Sequence, residues 1–384
     1  MAVTPLLALS VLLPACWRLA VVARALYRHR ALPRVDEAPA PEGTPLVSVL
    51  VPARNEERRL PVCLASLRAQ THAPLEILVI DDASEDRTAA IVKGAAREDP
   101  RVRYLRVEGP PPGWTGKSFA LARGAEQARG AWLLFTDADT VHAPGSVTRA
   151  LGFAQARRLD LLSLVSRQLV EGFWERVIQP VVFGLLDRWY SLHAVNDPAS
   201  PVAAANGIFI LVRREAYERV GGHRRTGREI LEDVALARAI KGWRRRIAFA
   251  DGTALVAARM YSCLGELRRG WTKNLYALRE RRPAKVALAA LDLLLVGIWP
   301  PAALLGLAFA GGPGPALGAA ALATGLVLAA EVPFRSRRGY DPAWAPTYPL
   351  GAACVLAFLL ESAVRDWLGL GVSWKARVYV REAP

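Results

Sequence analysis

Three acidic pairs stand in order along the chain: Asp81-Asp82, Asp137-Ala138-Asp139 and Glu232-Asp233. Asp81-Asp82 closes the apolar run Leu75–Ile80, and Asp137 closes Ala131–Thr136. Buried strands of open α/β sheets end in this way, and ligands bind in the crevice beyond their carboxyl ends. Two carboxylates flanking one residue at such an edge suit a divalent metal. Mg²⁺ and Mn²⁺ prefer hard oxygen ligands and often share them with a diphosphate. The residue types alone therefore point to nucleotide-diphosphate chemistry.

Further polar residues stand at the same kind of boundary. Val49-Leu50-Val51 runs into Pro52-Ala53-Arg54-Asn55-Glu56, a strand entering a polar loop. An Asp at the end of Leu75–Ile80 can accept a uracil N3–H or ribose hydroxyls, while Ser84 or Asp86 can cap the helix that follows. Lys117 comes after Gly113 and Gly116 on a loop that opens a helix, a setting that favours an anion; a solvated lysine is the plainer alternative. Glu232-Asp233 sits at the start of an apolar helix, where capping alone is the simpler role. Asn206 and Gly207 precede the strand expected over Ile208–Val212 and either border the donor sugar or acceptor or form a plain turn. Trp271 precedes a long apolar region and either lines an acceptor groove or anchors at a bilayer surface.

The elements that must position these residues alternate. Strands are expected over Leu46–Val51, Leu75–Ile80, Val102–Val107 and Trp132–Phe135. Helices are expected over Glu57–Gln70, Thr88–Arg97 and Lys117–Ala128. This alternation predicts an α/β domain, a largely parallel sheet with helices on both faces. It is expected to fill residues 46–282, with a more irregular second half.

Of the 384 residues, 52% are hydrophobic, more than a purely soluble enzyme needs, and the excess lies at the two ends. Residues 1–30 read as a retained membrane anchor with a basic flank at Arg24, Arg28 and Arg30, and 31–45 as a Pro-rich linker. Residues 283–384 read as a membrane hairpin over Val286–Ala310 and Ala316–Val332, a third apolar stretch over Tyr348–Leu370, and the basic tail Trp374–Arg381. The formal net charge of +15 fits anionic lipid, since arginines flank the apolar segments; no nucleic-acid motif accompanies it, so nucleic acid is not an expected partner. Positive flanks place the catalytic domain in the cytoplasm of a multi-pass protein of the inner (plasma) membrane. Cys16, Cys63, Cys263 and Cys354 form no CxxC pair, so neither a zinc site nor a disulfide framework is expected.

Taken together and in this order, Pro-Ala-Arg-Asn-Glu, Val-Ile-Asp-Asp-Ala-Ser, Thr-Asp-Ala-Asp and Leu-Glu-Asp resemble the motifs of the family 2 inverting glycosyltransferases, which have the GT-A fold. The resemblance covers residues 46–280. Gly113-Trp114-Thr115-Gly116-Lys117 and Arg259-Met260-Tyr261 resemble a membrane-attached bacterial subgroup that includes carotenoid- and hopanoid-associated transferases. The resemblance implies that Pro52, Ala53, Arg54 and Glu56 line the nucleotide pocket, with Asp82 at the base. It implies that Asp137 and Asp139 are the DxD pair that holds Mg²⁺ or Mn²⁺, with Asp139 the direct ligand. It makes Asp233 the general base, supported by Glu232. Processive members carry Gln-x-x-Arg-Trp where this chain has Arg268-Arg269-Gly270-Trp271, so polymer synthesis is not expected. The expected activity is transfer of a sugar from a nucleotide-diphosphate donor, UDP-sugar favoured, to a lipid-borne hydroxyl. The rivals are a polyprenyl-phosphate glycosyltransferase and an inactive membrane scaffold.

Overall fold

The computed structural model describes residues 3–30, 32–370, 372–374 and 377–379. Parts of the expected anchor, linker and basic tail therefore lie outside the described residues, as do the side chains of Arg28 and Arg30. The chain forms two compact units, one of Leu32–Leu169 with Ser191–Met260, the other of Met1–Ala31, Val170–Tyr190 and Tyr261–Pro384. The first unit is thus interrupted by Val170–Tyr190, where a continuous segment 46–282 was expected.

In the first unit the strands are β1 (Val47–Ala53), β2 (Leu75–Asp82), β3 (Val102–Val107), β4 (Trp132–Phe135), β5 (Thr140–His142), β6 (Leu161–Val165), β7 (Arg167–Gln168), β8 (Ile210–Arg213), β9 (Ile247–Asp251) and β10 (Val256–Ala258). Seven of them form one sheet in the order β3-β2-β1-β4-β8-β6-β9, and β5-β10-β7 form a small second sheet. β1, β2, β3 and β4 run parallel, as do β6 and β9, while β8 runs antiparallel to β4 and β6. All eight residues of β2 are buried, which is why the central strands read as unbroken apolar runs rather than as an alternation. The crossovers are the helices Leu60–Arg68, Thr88–Glu98 and Gly116–Gln127.

Three boundaries differ from the sequence expectation for identifiable reasons. β2 includes Asp81 and Asp82 because β3 continues the ladder beside them, Asp81 against Arg106 and Asp82 against Val107. The helix expected over Glu57–Gln70 starts at Leu60, since the Glu56 and Glu57 N–H groups donate to Thr88 Oγ1 (2.8 Å) and Asp86 Oδ2 (3.0 Å). The strand expected over Ile208–Val212 begins at Ile210, the Ile208 N–H being held by Asn206 Oδ1 at 3.2 Å. The expected linker is packed: Val35 is buried, and Asp251 exchanges backbone hydrogen bonds with Pro33 and Val35.

Register at the sheet centre is fixed by a buried polar knot. Glu76 Oε1 accepts from Ser48 Oγ (2.5 Å) and the Arg129 N–H (2.6 Å), Oε2 accepts from Arg103 (2.9 Å), and Ser48 Oγ accepts from the Gly130 N–H (2.7 Å). These bonds tie the entry of β4 to β1 and β2.

The second unit contains the helices Val3–Arg30, Phe173–Trp189, Leu264–Leu278, Gly314–Arg337 and Tyr348–Trp367. It also contains a long apolar stretch, Pro283–Phe309, that passes through one π-helical segment at Leu293–Ile298. Pro300 and Pro301 follow that segment; a proline lacks the N–H that an ordinary α-helical ladder requires. Four of these segments are long and apolar enough to cross a membrane: Pro5–Tyr27, Pro283–Phe309, Gly314–Arg337 and Pro342–Trp367. Some charged residues within them turn inward and pair, while Arg24 and Arg337 are exposed. Arg18 is ion-paired with Glu331, which also faces Arg335 at 3.8 Å.

A Cβ added at Gly130 would lie 2.6 Å from Ser48 N and 2.7 Å from Leu46 O, both backbone atoms that cannot rotate away. Gly130→Ala is therefore expected to lower stability by about 1–3 kcal/mol, against the ~0.4–1 kcal/mol gain that alanine gives at unstrained sites. Equilibrium chemical denaturation of the detergent-solubilised protein measures the sign.

Candidate active site

The loops after β1 and β2 form one laced piece. Arg54 Nη1 donates to the carbonyls of Asp82 (2.7 Å) and Ala83 (3.1 Å). The Asn55 N–H donates to Ser84 Oγ (3.0 Å), and Asn55 Oδ1 accepts from the Glu85 N–H (2.9 Å). Asn55 and Ala83 take left-handed backbone angles, φ 52° and 51°, which this mutual turn requires. Asp81 is structural: its carboxylate accepts from the Ser84 N–H (2.9 Å) and from the Tyr104 hydroxyl (2.8 Å). Asp82 follows it as the last residue of β2, beside Pro52 and Ala53 at the end of β1. Thr88–Glu98 has no side-chain cap of its own; Asp86 Oδ1 holds the Thr88 N–H at 2.9 Å, and Ser84 serves the neighbouring loop.

β4 ends at Phe135 and delivers the second acidic pair. Thr136 Oγ1 donates to the Ile208 carbonyl (2.7 Å) and Thr140 Oγ1 to the Asp137 carbonyl (2.8 Å). Both hydroxyl protons are thereby engaged. His142 Nε2, 3.0 Å from each hydroxyl oxygen, must then be the protonated ring nitrogen. Burial pushes His142 down to about 4, so the ring is neutral. Cys63 lies beside Asp137 and Thr140; burial pushes its thiol up to about 12, which leaves it inert.

Lys117 joins the second pair to the third. Its Nζ is 2.7 Å from Asp137 Oδ1 and 2.7 Å from Glu232 Oε1. Burial would lower its pKa, but Asp137, Glu232 and Asp233 outweigh that and hold it well above its ordinary value. Gly207 forms the wall of this cluster: an added Cβ would sit 2.7 Å from the ammonium. The Gly207 N–H donates to Asp233 Oδ2 at 3.0 Å, and Asp233 Oδ1 accepts from the Val234 N–H at 2.7 Å. Asn206 is held by Ser163 Oγ on its N–H at 2.8 Å. Lys117, Asp137, Gly207, Glu232 and Asp233 line one pocket together with Pro52.

The environment of Asp139 fits a hard cation. Its Oδ1 is buried without a hydrogen-bond donor. Burial first, then Asp137 and Glu56, push its carboxyl up to about 7. A dication between Asp137 and Asp139 satisfies such oxygens. Among the described residues no three His, Cys, Asp or Glu side chains gather as a complete cage. Asp137 and Asp139 would by themselves supply only part of such a cation's oxygen ligands.

Trp271 belongs to the other unit, is 2% exposed, and donates its indole N–H to Gln179 Oε1 at 2.9 Å. That burial does not fit an interfacial anchor; the ring packs edge-on against Phe183 and Tyr261. Conversely, His223 was missed in the sequence and lines the pocket. It is buried, hydrogen-bonded through Nδ1 to the Tyr217 hydroxyl (3.0 Å), and set edge-on to Phe135. Burial and Lys117 push it down to about 3, so it contributes a neutral wall. A single His among arginines carries no signal of this placement.

Residues 48–221 match the model of Glycosyl transferase family 2. The 4,4'-diaponeurosporenoate glycosyltransferases of Staphylococcus haemolyticus (strain JCSC1435) and Staphylococcus aureus (strain MRSA252) are each 29% identical to this chain. Each alignment covers 65% of this chain and 66% of the relative, slightly less than two thirds of the relative's length. Among solved structures, a mannosyltransferase from Pyrobaculum calidifontis in complex with GDP-Man and Mn²⁺ superimposes with a TM-score of 0.58 at 22% identity. That superposition covers 95% of this chain and 98% of the other, and it shows a shared fold. Residues 48–221 thus match a glycosyltransferase family 2 domain, on a GT-A-like α/β sheet in which β2 ends in the first acidic pair and β4 leads into the second.

Proposed function

We propose that this chain is a membrane-attached inverting glycosyltransferase that moves a sugar from a nucleoside diphosphate to a lipid-borne hydroxyl. The placement of Asp233 carries this reading. Its carboxylate rests on the Gly207 N–H beside Glu232, and Glu232 shares the Lys117 ammonium with Asp137. One cation therefore links a candidate base to the carboxylates suited to a metal.

In the proposed reaction Asp233 takes the proton of the acceptor hydroxyl. The freed oxygen bonds to the anomeric carbon as that carbon's bond to the diphosphate breaks, and the diphosphate leaves with the electron pair. Lys117, in the first turn of Gly116–Gln127, offers its charge to the departing anion. Asp137 and Asp139 would hold Mg²⁺ or Mn²⁺, which when bound supplies Lewis-acid stabilisation of the leaving group. Asp82 would accept from the base at the end of β2, with Pro52, Ala53, Arg54 and Glu56 forming the rest of the nucleotide pocket. A uracil N3–H suits that position, and UDP-sugar is the favoured donor. GDP-Man and Mn²⁺ in the solved mannosyltransferase support a nucleotide sugar with a dication.

The four long apolar helices support attachment to a membrane. Arg24 after the first and Arg335, Arg337 and Arg338 around the end of the third support a catalytic domain on the cytoplasmic face of the plasma membrane. The relatives' name supports a lipid-type acceptor, and it also favours a second reading. A diaponeurosporenoate is by name a carboxylate, an acceptor oxygen that arrives already ionised, as a polyprenyl phosphate would. Such an acceptor needs no base.

Asp139→Ala is expected to abolish most Mn²⁺-dependent donor binding in calorimetry, while stability changes by no more than about 1 kcal/mol. Unchanged Mn²⁺-dependent affinity removes Asp139 from the metal site. Asp233→Asn is expected to keep donor affinity but slow transfer to a hydroxyl about 10²–10⁴-fold. Near-normal transfer to a hydroxylated lipid rules out Asp233 as base. Slow wild-type transfer to hydroxyls with fast transfer to carboxylates or phosphates selects the second reading.

Burial and then Glu232 push Asp233 up to about 6, against Lys117 and its two N–H donors. A base acts unprotonated, so transfer to a hydroxyl should fall as pH drops through about 6 and level off above it. A pH profile of kcat at saturating donor measures this limb, which Asp233→Asn should lack.

A further inference from the structure

Pro342–Trp367 is long and apolar enough to cross a membrane. The partners of helix Tyr348–Trp367 place its two ends. Near its start, an added Cβ at Gly297 would meet the Ala352 methyl at 2.5 Å and the Tyr348 ring at 3.5 Å. Gly297 stands about 21 Å of helical rise beyond Pro283, deep in the second apolar segment. Near its end, Glu361 accepts two hydrogen bonds from Arg268 (2.8 and 3.0 Å), and Asp366 faces Arg281 at 3.3 Å. Ser362 Oγ accepts from the Tyr276 N–H (3.0 Å), and the Trp367 indole donates to the Tyr276 hydroxyl (2.8 Å).

Arg268 and Tyr276 belong to Leu264–Leu278, and Arg281 lies in the turn just before Pro283. The last helix therefore runs from the level of Gly297 back to the residues that enter the second apolar segment. It does not end beyond that segment's far end at Phe309. Leu264–Leu278 carries Arg268, Arg269 and Lys273, charges that hydrocarbon does not accommodate. Leu350, Ala353, Ala357, Leu360, Val364 and Trp367 point away from the protein at spacings of three and four residues. They form one apolar stripe along a helix whose end is charged.

We propose that Tyr348–Trp367 does not cross the bilayer but re-enters it, running from the level of Gly297 back to the face nearest Arg24. Its stripe faces the acyl chains, and Glu361, Asp366 and their arginines sit among the headgroups of that face. The chain then crosses three times, and its C-terminal tail returns to the side on which the catalytic unit begins. This rests on the membrane attachment proposed above, and the test separates the two.

Single cysteines placed in the full chain at Glu42, Ala310 and Leu370 are treated in intact cells with a membrane-impermeant maleimide, and the labelling of the unsubstituted protein is subtracted. Glu42→Cys and Leu370→Cys should label only after permeabilisation, and Ala310→Cys before it. Leu370→Cys labelling in intact cells while Glu42→Cys stays protected overturns the inference. Labelling of both in intact cells reverses the orientation of the catalytic unit and still supports a helix that does not cross. A green fluorescent protein fused after Pro384, fluorescent only when cytoplasmic, repeats the reading without an internal substitution. A dark fusion beside a protected Glu42→Cys overturns the inference equally.

Discussion

The ammonium of Lys117 sets the terms for the acidic cluster of the first unit. Asp137 and Asp139, after β4, converge with Glu232 and Asp233, at the start of helix Glu232–Gly242. Two like charges about 4 Å apart repel by about 4 kcal/mol at an effective dielectric near 20, whereas one net hydrogen bond returns about 1 kcal/mol. Loop hydrogen bonds alone do not hold such a cluster. A single cation bonded to Asp137 and Glu232 does, and it can stand there because Gly207 presents no side chain to it. Asp139 lies outside that cation's direct reach and keeps a buried oxygen without a donor, the feature that suits it to a dication.

The sheet was largely legible in the sequence because its central strands are apolar runs cut off by polar residues. The central strand Trp132–Phe135 has the same bounds in the structure as in the pattern, as does the alternating edge strand Val102–Val107. What pattern reading misses is bonding between residues far apart in sequence. Nothing local to Glu57 says that Asp86 will take its N–H, so the helix after β1 is read three residues too early. Nothing near Pro33 says that Asp251 will pair with the supposed linker. The antiparallel setting of β8 is equally silent, since a buried strand is apolar whichever way it runs. Among the candidate site residues the acidic pairs, Lys117 and Gly207 were legible as types at strand or helix ends. Trp271 was not, because an indole has the same sequence signature in a core as at a membrane surface.

In the second unit, polar side chains in apolar helices act as internal fasteners. Arg18, Glu331 and Arg335 meet away from any exposed face, with the Arg18 guanidinium also 4.9 Å over the Tyr348 ring. A lone charge there would be costly, and shared among three elements it fixes their rotation about their own axes. Arg188 with Asp292 and Arg338 with Asp187 repeat the arrangement on helix Phe173–Trp189.

The lacing of the loops after β1 and β2 bears on how a ligand is received there. Arg54, Asn55, Ser84, Asp86 and Thr88 bond across the two loops before any ligand arrives. The conformational entropy of that surface is thus surrendered during folding rather than on association. A ligand received by these loops would meet a preformed surface, and its affinity would report shape and polarity rather than loop ordering. Cutting a cross-loop bond would hand that ordering cost back to the moment of association.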